Sequence, residues 1–310
     1  MTPPSLHTTT GSDSLLQNLS QLQAAVREQP TVADLRWSLI ETLCLLCQWD
    51  RALQQLQTWV RLEPEASAQA HALRGLIRAE AQRMQVFSGI TPAAPVIEFT
   101  PWMNALWLAL QHNSRGQHAQ ADTLRESALA QAPTHAGQCQ WQSLPQRHSA
   151  SDEAHTQTHA FDWLGDSDTR LGPICEVMVS GAYRWLPFAD IASLDFSKPR
   201  HRMDVIWRPA RLTLREPLAV SVPGGVAPVL HVFIPARSCW LETPTSPDSQ
   251  QQALLQARLT VWHEQGQTGV MCVGQKTWMS DGMDWPVLDV RHVDCTTLQP
   301  SEEANRGEQA

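Results

Sequence analysis

The chain has 310 residues, 42% of them hydrophobic, and a formal net charge of -8. That length suffices for two cores at roughly 100 to 200 residues per domain, and the acidic balance argues against a general binder of nucleic-acid backbone, which needs clustered Lys and Arg. No stretch approaches the ~18 apolar residues of a membrane helix, and the first residues lack a charged region followed by an apolar one, so a cytoplasmic product that engages neither nucleic acid nor membrane is expected.

Residues 1–12, rich in Thr, Ser and Pro, read as a flexible lead-in. From Ser14 a helical period begins: Leu15, Leu16, Leu19, Leu22 and Val26 recur at three- and four-residue steps behind Asp13 and Ser14 as caps. Further helices are predicted over 31–47, 49–62, 65–87, 101–114 and 117–132, with the proline-containing stretch 91–101 as a connector. Pro30, Pro64 and Pro133 are 34 and then 69 residues apart, close to the period of a tetratricopeptide repeat (TPR) and its double. Residues 13–134 are therefore predicted to be a TPR-like α-superhelix. Such a stack leaves a curved face suited to a helical or extended peptide, and Trp37, Trp59, Trp102 and Trp107 supply candidate partner-binding aromatics on it.

The polar run 135–158 is predicted to be a linker, followed by a C-terminal α+β domain over 159–298 and a charged tail over 299–310. In that domain strands are predicted at 174–180, 182–188, 203–208, 211–220, 228–235, 268–279 and 286–294, and a helix at 250–264. Around Ser180-Gly181 the pattern is a two-residue hairpin, antiparallel, setting Met178 opposite Tyr183 and Glu176 opposite Trp185; the other face carries Cys175, Val177, Val179, Ala182 and Leu186.

Few residues suggest chemistry. The seven cysteines lack the paired spacing of a zinc site or a disulfide framework, and Cys44 and Cys47, set among leucines, read as core thiols. Asp166-Ser-Asp168-Thr169 fits the D-x-D-x-T start of a haloacid-dehalogenase-like phosphatase, but that motif should end a buried parallel strand, whereas Gly-Pro and a hairpin follow here. A tight turn in which the aspartates accept backbone N–H bonds, with Arg170 or Arg184 as ionic partners, is the alternative. Asp162, Asp166, Asp168 and Glu176 lack the layout of a calcium loop, and His155 with His159 lacks an adjacent Glu, so no metal and no cofactor is expected. Arg200, Arg202, Arg208, Arg211 and Arg215 are dense enough to form a basic patch for an acidic partner or a strand face bridged to acids.

The run Asp166-Ser-Asp168-Thr-Arg170-Leu-Gly172-Pro173, then Glu176, then Gly181-Ala-Tyr183-Arg-Trp185-Leu-Pro187, resembles the signature of the ImpE/TagJ family, accessory proteins of bacterial type VI secretion systems. Asp34-Leu-Arg36, Trp49-Asp-Arg-Ala-Leu53, Glu80 with Arg83, Pro101-Trp102, Asp204-Val-Ile-Trp207-Arg-Pro209 and Pro286 to Arg291 follow in the family's order. Two elements depart from it: Arg202-Met-Asp204 stands where Leu-Arg-Asp is usual, and the loop Ala236-Arg-Ser-Cys-Trp240 where Arg-Tyr-Pro-Gly is usual. The resemblance implies a non-enzymatic adaptor that binds the N-terminal helix of the small sheath subunit and influences, indirectly, sheath recycling by the partner ATPase. A phosphatase using Asp166 and Asp168, and a generic TPR scaffold, are the alternatives.

Overall fold

The computed structural model describes residues 14–142, 156–216, 229–242 and 246–295, so the predicted lead-in and charged tail lie outside the described residues. Six helices come first: α1 (Leu15–Glu28), α2 (Ala33–Leu45), α3 (Trp49–Leu62), α4 (Ser67–Phe87), α5 (Pro101–Ser114) and α6 (His118–Gln131). Ser14 caps α1 in a box with Gln17, and Pro30, Pro64 and Pro133 each stand two residues beyond a helix end, where a ring without an N–H terminates the helix cheaply. The regular proline spacing thus marks helix ends. Helix α1 packs on α2, α2 on α3, and α5 on α6, while α4, at 21 residues, lies against a β-strand.

The strands are β1 (Ala94–Pro95), β2 (Gly137–Gln142), β3 (Thr156–Phe161), β4 (Gly165–Asp166), β5 (Ile174–Val179), β6 (Ala182–Pro187), β7 (Ile191–Phe196), β8 (Trp207–Leu214), β9 (Val229–Pro235), β10 (Thr260–Gln265), β11 (Gly269–Gly274), β12 (Thr277–Ser280), β13 (Met283–Pro286) and β14 (Val290–Asp294). Among the described residues nine of them make one sheet in the order β1-β6-β5-β9-β8-β7-β14-β2-β3, antiparallel except where β1 joins β6; β13-β12-β4 and β10-β11 form two smaller sheets. The helices followed by antiparallel strands match the predicted α and α+β classes.

Several predicted boundaries are corrected. Residues 137–142 and 156–161, most of them assigned to the linker, are paired strands at one edge of the large sheet, Cys139 and Trp141 alternating with glutamines. The predicted helix 250–264 is a short α7 (Ser249–Leu255) followed by β10: Ala257, at φ 52°, turns the chain out of the helix, and Thr260 to Gln265 pair with β11. Gly274, at φ 99°, divides the predicted strand 268–279 into β11 and β12. Residues 202–205 are a 3₁₀ turn rather than a strand, and β7 was not anticipated.

The β5–β6 hairpin stands as predicted, with Glu176 opposite Trp185, Met178 opposite Tyr183, and positive φ at Ser180 (51°) and Gly181 (70°). Both its faces are covered. Cys175, Val177 and Leu186 enter a core with Phe161, Phe188, Phe196, Trp278 and Trp285. Ile174, Met178, Tyr183 and Trp185 enter the core that also holds the helices' Leu39, Ile40, Leu43, Leu56 and Phe87. Helical and sheet regions therefore share one apolar cluster. The hairpin tip reaches α4 so closely that a Cβ on Gly75 would stand 3.0 Å from the Gly181 Cα, and Arg78 Nε donates to the Gly181 carbonyl (3.0 Å).

Candidate functional site

The family-like residues, scattered over more than a hundred positions, converge where α4 meets the hairpin. Glu80 and Arg83, one turn apart on α4, face the sheet. Arg83 grips Glu176 with both ends of its guanidinium, Nε to Oε1 at 2.6 Å and Nη2 to Oε2 at 2.8 Å, and donates from Nη2 to the Arg237 carbonyl (3.0 Å). Tyr183 Oη donates to Glu176 Oε1 (2.8 Å) and accepts from Trp185 Nε1 (2.8 Å). Glu80 accepts from Trp207 Nε1 at 2.9 Å.

From the other side, Lys276, on the segment between β11 and β12, places Nζ against Glu176 Oε2 and 2.6 Å from Asp166 Oδ2. The Asp166 turn is closed by backbone bonds: Asp166 N–H donates to the Gly172 carbonyl (2.7 Å), and Asp166 Oδ1 accepts from Asp168 N–H (3.0 Å). Asp168 in turn holds Arg170 at Nε (2.8 Å) and Nη2 (2.5 Å), with the Arg170 guanidinium 4.7 Å above the Phe87 ring. Gly172 is needed for its φ of 51°, and a Cβ there would also meet Leu129 at 2.9 Å. Pro173 passes its carbonyl to Phe188 N–H (2.9 Å), and Pro187 ends the hairpin opposite Ile174.

Water is excluded from this cluster: Glu176 is 1% exposed, Asp166 2%, Asp168 3%, Lys276 2% and Arg83 1%. Burial pushes the Asp166 carboxyl up to about 6, against the pull of Lys276. Burial acts on Glu176 in the same direction, but Arg83 and Lys276 together outweigh it and hold that carboxyl at about 2. Glu176 is thus the well-paired anion and Asp166 the poorly paired one. As the pH rises from Asp166's ordinary value of 3.8 to about 6, the unfolded chain releases this proton while the folded chain keeps it, so wild-type stability falls through that window. Asp166→Asn should remove that fall, read as urea midpoints of the two proteins that converge toward about pH 4 and separate toward pH 7; parallel profiles would sink the assignment.

The other family-like positions have structural surroundings. Asp204 Oδ2 accepts from the N–H groups of Arg200 (2.7 Å) and His201 (3.0 Å), closing the 3₁₀ turn before β8; Trp207 is buried, and Pro209, opposite Phe233, is exposed. Of the four candidate tryptophans, Trp59 and Trp102 are each only 6% exposed, within the core, while Trp37 and Trp107 are half-buried and Trp37 packs against Trp59 with ring planes tilted by 41° and centroids 4.6 Å apart. Of the arginines read as a basic patch or an acid-bridged strand face, Arg208 is buried over Phe196 and bonds to the carbonyls of Ser197 and Val287, Arg215 bonds to those of Ala189 and Cys295, and Arg211 on β8 meets Asp195 on β7 at 3.7 Å. Cys44 and Cys47 are buried, their thiols raised by that burial. His155 lies outside the described residues, and no His, Cys, Asp and Glu group suited to a metal occurs among those described.

Two residues that sequence reasoning passed over complete the site. Lys276 is one of two lysines in the chain and interrupts a strand-like segment, a signal that could have marked it. Arg237, in the loop that departs from the family pattern, donates to the carbonyls of Leu45 (2.8 Å), Leu255 (2.6 Å) and Cys44 (3.0 Å), tying the end of α2 to the sheet.

Asp166 and Asp168 therefore do not follow a parallel strand. Asp166 ends β4, which pairs antiparallel with β12, and Asp168 lies in the closed turn that follows; each meets a cation, Lys276 and Arg170 respectively, and the phosphatase reading is not supported. What the fold and the site define is a helix-on-sheet protein whose signature charges bind its own two layers together. The family model described as "ImpE protein" matches residues 158–294. The type VI secretion system accessory component TagJ of Pseudomonas aeruginosa is 34% identical over 278 residues, 89% of this chain and 85% of that protein. The crystal structure of VPA1032 from Vibrio parahaemolyticus has a TM-score of 0.74 at 22% identity, covering 92% of this chain and 95% of its own, and shows the same fold. The chain belongs to the ImpE/TagJ family of type VI secretion accessory proteins.

Proposed function

We propose that the protein is a non-enzymatic adaptor that binds the N-terminal helix of the small sheath subunit of a type VI secretion system, in the cytoplasm, and thereby influences sheath assembly or ATPase-driven recycling. The observation that carries the non-enzymatic part is the sealing of Asp166, Asp168 and Glu176 behind Arg83, Arg170 and Lys276, which leaves no carboxylate of the signature free to meet a substrate. The accessory role of the TagJ relative supports the secretion context. We read the helical region as a TPR-like stack and take it as the docking surface, with Trp37 and Trp107 the two candidate aromatics that retain exposed area.

Because helices and sheet share a core, the test uses the full chain. A fluorescently labelled peptide copying the sheath subunit's N-terminal helix should bind saturably, and purified protein with magnesium should not hydrolyse p-nitrophenyl phosphate. Absence of peptide binding would remove the adaptor reading. Turnover abolished in Asp166→Asn protein that remains folded would replace it with an enzymatic one.

A further inference from the structure

Helices α1, α2 and α3 enclose a groove of about 250 Å³. Its floor is apolar, from Val26, Leu39 and Leu43, and its borders carry Arg27, Arg36 and Arg51. None of these three arginines forms an ion pair among the described residues, in contrast to Arg83 and Arg170, which each meet a carboxylate. Arg36 is the informative one. It is 8% exposed, its Nη1 donates to Gln55 Oε1 (2.6 Å) and its Nη2 to the Pro30 carbonyl (3.0 Å), and its buried Nε has no acceptor. That Nε is sealed from the groove, but the guanidinium meets no carboxylate and each of its two terminal nitrogens carries a second N–H beyond these bonds, so both charge and donors remain for an anion from outside.

We propose that this groove receives an amphipathic helical segment of a partner protein, with a Glu or Asp side chain of that helix accepting from Arg36 and an apolar side chain one turn away resting on Val26, Leu39 and Leu43. The volume lies below the roughly 300 to 1,000 Å³ of small-molecule pockets and suits one or two side chains. An apolar floor adds nothing for a bare phosphate, whereas a helix with acid and apolar residues three or four positions apart matches floor and wall together. Arg27 and Arg51, exposed on the rim, steer such a segment and fix its register. This rests on the adaptor reading, and gives its partner helix a chemistry and a seat.

The experiment measures fluorescence anisotropy of the labelled sheath-subunit peptide with full-length wild type and with the Arg27→Glu/Arg51→Glu protein, whose exposed positions leave the core intact, and repeats both with a peptide whose acidic residues are changed to amides. Charge reversal should weaken binding at least tenfold, the amide peptide should lose a similar factor with wild type, and the two losses should not multiply, because both act through the charge of the peptide's acidic residues. Arg36→Leu should weaken binding as well while circular dichroism stays that of wild type. Wild-type binding retained within twofold by the charge-reversed protein overturns the groove and leaves the adaptor standing. No binding by wild type overturns both. Inorganic phosphate binding at the groove, with peptide affinity indifferent to charge reversal, reassigns the site to a small anion and also overturns the proposal.

Discussion

Glu176→Gln should destabilise the protein by about 3 to 5 kcal/mol at neutral pH, the cost of removing one partner from a buried ion pair. Glu176 accepts from Arg83 twice, from Tyr183 and from Lys276, all inside a core from which water is excluded. A glutamine keeps one acceptor oxygen but turns an NH₂ group toward donors, and leaves the Arg83 guanidinium facing Glu80 alone at 3.5 Å. Replacing both ends, as in Arg83→Met/Glu176→Met, should cost less than the sum of the single changes, because neither Arg83 nor Glu176 is left facing a missing partner, Lys276 still has Asp166, and Glu80 loses Arg83 but keeps the Trp207 N–H. The acid limb supplies a second reading. The carboxyl is held at about 2, below its ordinary 4.5, so its contribution is complete above pH 4.5 and is lost as the pH falls through about 2. The gap between wild type and Glu176→Gln in chemical denaturation should therefore be widest at neutral pH and close below pH 4.5. A constant gap would mean the carboxylate is not the group that Arg83 and Lys276 hold.

The parts of the fold written in local pattern were legible, and the parts written in distant partners were not. The hairpin register followed from Ser180-Gly181 alone, because a two-residue turn with positive φ permits one pairing. The helices followed from apolar period and terminal prolines. Strand β7 escaped because its pairing with β8 shifts between Ile191 and Ser193, which spoils the alternation that marks a strand. Strand β10 was taken for helix because Leu254, Leu255, Leu259 and Trp262 fit one helical face, and nothing in an alanine announces the positive φ of Ala257. The site was half legible: its acids and aromatics stood together in the sequence, while the cations that neutralise Glu176, Arg83 and Lys276, lie 93 and 100 residues away. A lone arginine on a helix and a lone lysine near a strand reveal burial only when the layers close over them.

Trp185→Ala is expected to cost about 3 to 5 kcal/mol, by the loss of a fully buried indole and the cavity left behind. The ring is 0% exposed, stacks on Phe99 with centroids 6.4 Å apart, and sends its Nε1–H to Tyr183 Oη, which in turn supports Glu176. It lies on the hairpin face turned toward the helices, with strand β1 paired along its backbone, so the void opens between the two layers. Two effects then separate. Trp185→Phe keeps most of the packing but removes the donor to Tyr183, and should cost less than the alanine change; both should lower the midpoint of thermal unfolding, alanine the more. Binding of the sheath-subunit peptide by either variant at a temperature where it remains folded should match wild type, because this indole supports the interface between layers and contributes no surface. A melting temperature equal to wild type in Trp185→Ala, or a selective loss of peptide binding in a stable variant, would move Trp185 from the core to the partner's footprint.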